Sequence, residues 1–265
     1  MNQPEHEQID HWLVTANERI HRTWELNDEG FYEKEEISMQ SVYTGVAFWH
    51  AALARAKFLN GDPIDEVRTQ FTNAARCILK SFTMAYDESD PDYQGEKADW
   101  VEVGETIAID GFNFALMAAD FGLAKELASW YRDRPDGRKM DPEVNHYAHD
   151  LKYVLRDERM KAWNRLKTQF EAYMAKPPKR NDFRKNYYTL TTALFGIVDS
   201  NEERFNQGLL MQLEFYQGYA QGEAKNTTEE FICDHAVALA NLGIYYGLNV
   251  TVEFDTLPKG LLIQK

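Results

Sequence analysis

His146, His149 and Asp150 stand in the order H-x-x-H-D. Residues three and four apart share one face of a helix, so two imidazoles and a carboxylate at this spacing could begin a metal site. A closed site needs further ligands, and nothing in the sequence indicates them; an exposed histidine pair is the competing reading. His50 and His235 sit inside apolar helical patterns and read as core histidines rather than bases. Glu143 before His146 is one Glu-x-x-His element of the kind a di-metal bundle uses in pairs, together with further Glu ligands that nothing in the sequence indicates. Asp99/Glu102 and Glu102/Glu105 are carboxylates spaced for one helix face, as acid–base chemistry would require. In so acidic a stretch such pairs arise by chance. Cys77 and Cys233 each lie in a helical pattern and read as buried free thiols, which suits a reducing compartment. No phosphate-binding glycine loop, dinucleotide fingerprint or nucleophile elbow occurs. The expectation is a protein that is not an enzyme and has no cofactor and no metal.

The elements that would position these residues are helices. Apolar residues recur at helical spacing over 5–26, 38–59 and from Pro63 to about Tyr86. Asn60-Gly61 predicts a left-handed helix end, with Asp62 as the next N-cap and Pro63 at the first helical position. Further helices are expected at 98–120, 121–131, 142–152, 155–175 and 183–198, with a polar loop at 132–140. Ser200-Asn201-Glu202-Glu203 and Thr227-Thr228-Glu229-Glu230 read as capping boxes, the second opening a helix over 228–246 that Gly247 closes. Val250 to Phe254 has strand propensity. Ala-rich segments near Leu53, Leu116 and Leu239 let helices approach closely, but their spacing follows no fixed period. The fold class is therefore all-α: a multi-helix bundle or irregular helical-hairpin array with a short β segment near the C-terminus. One domain is expected over 1–265, with an internal break near 176–182 at Lys176-Pro177-Pro178-Lys179.

The 265 residues contain 44 % hydrophobic and 27 % charged side chains, the balance of a soluble globular protein. The N-terminus lacks the basic start and apolar run of a signal peptide, and no stretch is apolar for long enough to cross a membrane. A cytoplasmic location follows as the expectation. Acids number 43 and bases 29, a formal −14, which argues against direct nucleic-acid binding and allows a basic partner. The densest acidic stretch holds Asp87, Glu88, Asp90, Asp92, Glu96, Asp99, Glu102 and Glu105. It reads either as a solvated surface or as a docking face for a basic protein. The segment Arg132–Lys185 is locally basic, and is either an internal counterface or a phosphate-binding strip, the first being favoured by the interleaved acids.

The C-terminal residues add a different kind of argument. The stretch FICDHAVALANLGIYYGLNVTV (231–252), then Leu257-Pro258 and Leu261-Leu262, resembles the end of the immunity protein 49 family. That end combines an Ala-Leu-Ala-x-Leu helix, a Gly-containing helix end, a short β segment and a Pro followed by apolar residues. Ala193 to Ser200 and Phe205 to Leu213 fit the helix pair found upstream, so the resemblance spans about 185–263. It implies a bacterial immunity protein, made beside a secreted polymorphic toxin and neutralising it by binding. Ala238, Leu239, Leu242, Gly247 and Pro258 would then be structural, and no toxin contact carries over. The expected partner is a cognate toxin acting in the cytoplasm, of a basic nuclease type, docked on the acidic stretch from Asp87 to Glu105; the oligomeric state is left open. Two other readings remain: a helical scaffold or regulator that binds peptides, and a helical metal-dependent enzyme using His146 and His149.

Overall fold

The computed structural model describes residues 4–133, 141–179 and 183–264. Among them are eleven α-helices and no strand. The chain divides into two compact units, Met1–Arg138 and Lys139–Lys265. The boundary falls in the polar segment expected as a loop, of which residues 134–140 lie outside the described ones. The Lys176–Lys179 segment instead joins two helices of the second unit that pack on each other, and 180–182, the end of that expected break, also lie outside the described residues. No described helix is long and apolar enough to cross a membrane.

The first unit contains α1 (His6–Asp28), the short α2 (Phe31–Lys34), α3 (Met39–Asn60), α4 (Ile64–Tyr86), α5 (Glu105–Met117) and α6 (Phe121–Trp130). The α3–α4 hairpin is its spine. Gly61, at φ +83°, ends α3 in the left-handed conformation that a side chain resists. Asp62, expected from the sequence to cap α4, does not; Pro63, expected one position further on, is the N-cap residue. The Asp62 carboxylate instead takes Lys57 Nζ at 2.9 Å and Asn60 Nδ2 at 2.7 Å. α4 carries Val67, Phe71, Ala74, Ile78 and Phe82, all fully buried, and packs against α3, α5 and α6. The helix expected over 98–120 is shorter than its apolar pattern. Residues 98–104 form turns, and Gly104 opens α5.

The second unit contains α7 (Pro142–Leu155), α8 (Arg159–Ala175), α9 (Phe183–Val198), α10 (Glu202–Gln221) and α11 (Asp234–Tyr245). α9 is central: every residue from Thr189 to Val198 is buried, and α7, α8, α10 and α11 all pack on it. Its contact with α10 is close because Gly208 faces Ala193 and Gly196 faces Phe205; a Cβ on Gly208 would lie 2.2 Å from the Ala193 nitrogen. Two capping expectations shift. Asn201 rather than Ser200 caps α10, accepting the Arg204 amide at 2.9 Å. Thr227 caps only one 3₁₀ turn, Thr228–Glu230, and α11 starts at Asp234.

The β segment expected at Val250–Phe254 is not a strand. Among the described residues no strand pairs with it, and side chains take its backbone groups instead. Asn206 donates to the Asn249 carbonyl at 2.9 Å and accepts the Thr251 amide at 2.7 Å, while Glu202 accepts the Asn249 amide at 2.8 Å. Gly208→Ala should cost about 2–3 kcal/mol or more of unfolding free energy, because the contact it crowds is backbone and cannot rotate away. Urea denaturation of the variant measures this directly.

Candidate functional site

The net charge is partitioned. The first unit carries 26 acids against 13 bases, a formal −13, and the second 17 against 16, or −1. The acidic stretch lies between α4 and α5 and is held in place by buried groups. Gln40, at 0 % exposure near the start of α3, donates to the Ser81 carbonyl at 3.0 Å and accepts the Asp99 amide at 2.6 Å. The Gln94 amide donates to the Met84 carbonyl at 2.7 Å, and Ser41 donates to Glu102 at 3.0 Å. A loop with these ties has a defined surface, because breaking those to Gln40 strands a buried amide.

Lys80 holds the middle of the loop. Its ammonium lies 2.5 Å from Asp90 and 2.7 Å from Asp92. Burial alone would raise the Asp90 carboxyl, but hydrogen bonds from Lys80 and Thr83 bring it below the ordinary value. Asp87 closes a turn by accepting from the Ser89 amide and hydroxyl, and Asp99 accepts the Val101 amide. The eight acids therefore differ in availability. Glu88, Asp92 and Glu96 are exposed; Asp87, Asp90, Asp99 and Glu102 are half-buried and bonded within the unit; Glu105, 4 % exposed, belongs to the interior. Sequence reasoning passed over the apolar members of this surface. Tyr93 is 41 % and Val101 62 % exposed, and Trp100 packs on Tyr86 with ring centroids 5.8 Å apart. Arg132 caps the Tyr86 ring at 4.2 Å. Aromatic anchors within a charged rim are the composition of a protein-docking surface. The signal in the sequence was Tyr93 and Trp100-Val101 set among acids.

The H-x-x-H-D residues sit on α7, facing α8. Asp150 is fully buried, and its two oxygens are taken by Arg165 Nε and Gln169 Nε2, each at 2.5 Å. A carboxylate already paired with a guanidinium is a poor metal ligand, and no group of three or more potential ligands is found among the described residues. His50 binds Gln70 through Nδ1 at 2.8 Å, and burial holds both His50 and His235 below their ordinary values. Cys77 and Cys233 are free, and burial pushes their thiols up to about 11 and about 12, away from the nucleophilic thiolate. A cavity lined by Val154, Arg159, Ile197, Val198 and Tyr246 measures about 10 Å³, room for one water.

Several described cations of the basic middle are engaged within their own unit. Arg156 pairs with Glu158 at 2.9 Å and Arg184 with Glu143 at 3.3 Å, and Arg159 donates to the Val198 carbonyl at 2.9 Å. No protein-family model, no characterised protein and no solved structure matches the chain.

Two outcomes follow from this geometry. Gln40→Leu leaves the Ser81 carbonyl and the Asp99 amide without their partner, so it should cost about 2 kcal/mol or more and speed hydrogen exchange at Asp99 above that of the α3–α4 hairpin. The second concerns Asp150, whose carboxyl is pushed up to about 6 by burial, with Arg165 and Gln169 pulling part of the way back. The folded state binds this proton more tightly than the unfolded chain. The resulting stabilisation is full below about pH 4 and is lost as pH rises through about 6. Stability of the native protein relative to Asp150→Asn should therefore fall by about 2–3 kcal/mol between pH 4 and pH 7, as read by urea denaturation at each pH.

Proposed function

We propose that the protein is an immunity protein of the kind its C-terminal sequence resembles, one that binds and neutralises a cognate secreted toxin acting in the cytoplasm. The observation that carries this reading is the acidic surface of the first unit, anchored from beneath by Gln40 and Lys80 and presenting Glu88, Asp92 and Glu96 beside Tyr93 and Val101. A toxin that handles nucleic acid needs Lys and Arg to hold phosphate. A negative surface of fixed shape competes for those cations, and its long-range field speeds encounter. Tyr93 and Val101 supply the apolar contact that slows release once the charges have aligned the partners. Inhibition by binding asks for no catalytic residue.

The test uses the full chain as bait in its native host. The expected result is one stoichiometric partner with a domain that kills cells when expressed alone, spares them when this chain is co-expressed, and is released at high salt. A partner set without such a toxin overturns the reading. With the partner in hand, replacing Glu88 and Glu96 together by Lys should slow association at low salt about tenfold or more, with helicity unchanged. An unaltered rate places the interface elsewhere.

A further inference from the structure

The stripe His146, His149, Asp150 and Tyr153 on α7 lies against Lys161, Arg165 and Gln169 on α8, each set at one-face helical spacing. The two helices run antiparallel: Tyr153 meets Lys161 beside the turn, and Asp150 meets Arg165 and Gln169 further along. Cations gather round the Tyr153 ring. Lys161 Nζ lies 3.8 Å, Arg165 Cζ 5.7 Å and Lys152 Nζ 6.0 Å from its centroid, and the His149 ring stacks beside it at 6.1 Å. The acid in this stripe, Asp150, is buried beneath them with both oxygens occupied. Arg165 reaches it through Nε, its side chain stays 35 % exposed, and its Nη groups take no further ion pair among the described residues. Glu158 lies 3.5 Å from Lys161 but also pairs with Arg156 at 2.9 Å. The imidazole of His146 is held below its ordinary value by burial, then by Arg165 and by His149, so these groups share one positive field.

We propose that this face between α7 and α8 binds a phosphate group, held by Lys161 and Arg165 with His146 at its outer end. A bound dianion relieves the crowding of like charges and accepts from the planar guanidinium. It also favours the protonated form of His146, making that ring a reporter of occupancy. The site is independent of the acidic surface, which lies in the first unit, so each can fail without the other.

The experiment follows the His146 ring by NMR in the full chain, titrated with inorganic phosphate at ionic strength held constant with chloride, so that screening is matched. Saturable movement of His146, with its pKa raised by about half a unit, is the expected result. Lys161→Ala should weaken binding about tenfold and Lys161→Arg should retain it. A nucleoside monophosphate forms the second arm: tighter binding than inorganic phosphate identifies a nucleotide-borne group, and equal binding identifies the free ion. A His146 ring that does not respond, or that responds equally in Lys161→Ala, overturns the proposal.

Discussion

Like charges repel, and a chain with 43 acids and 29 bases must decide where its carboxylates go before its helices can pack. The molecule answers by pairing the acids nearest the interior and leaving the others at the surface. Lys57 lies between Asp62 and Glu66 at 2.9 and 2.7 Å, Lys80 between Asp90 and Asp92, and Arg165 on Asp150. Each such cation ties a turn or a helix pair together through the carboxylates it meets. The excess of acids over bases is concentrated in the first unit, a formal −13 against −1, and the surface there gains a negative field.

Much of the helical framework was legible because its determinants are local. The apolar stripes of α3, α4 and α9, and the left-handed glycine at 61, need only the periodicity and backbone freedom of the residues concerned. The errors came where a local signal had a tertiary competitor. Thr227 has the chemistry of a cap, but the chain turns after Glu230 and places Cys233 at the start of α11 instead. Ser200 was passed over as the α10 cap in favour of Asn201, and its hydroxyl accepts from Arg159 at 2.5 Å. Val250 to Phe254 has strand propensity, and propensity is not pairing: without a neighbouring strand its amides turn to Asn206 and Glu202. No local pattern marks those two residues as its partners.

The candidate docking surface was legible in the same uneven way. Composition located the acidic run, since charge density is a property of the chain. It did not separate Glu96, which faces water, from Glu105, which is buried at the start of α5. Between the two, the Asp99 amide is bound by Gln40, 59 positions earlier, a polar residue that periodicity places in a helix without any hint of its role. A buried amide with both its donor and its acceptor engaged costs little to keep and much to remove. The shape of the acidic surface therefore rests on a neutral residue outside it.

The same logic accounts for the H-x-x-H-D element. Read in isolation it offers three metal-ligating groups; read with α8 it offers one buried anion beneath several cations. As the buried counter-ion of Arg165, with a hydrogen bond on each oxygen, Asp150 has less charge and less room to offer a metal. Once Asp150 is committed to Arg165 and Gln169, the groups left at the surface are cationic or basic, and the chemistry of the stripe changes sign from binding a cation to attracting an anion. The α7 spacing alone carries no information about that choice. Arg165 makes it, from one helix further along the chain.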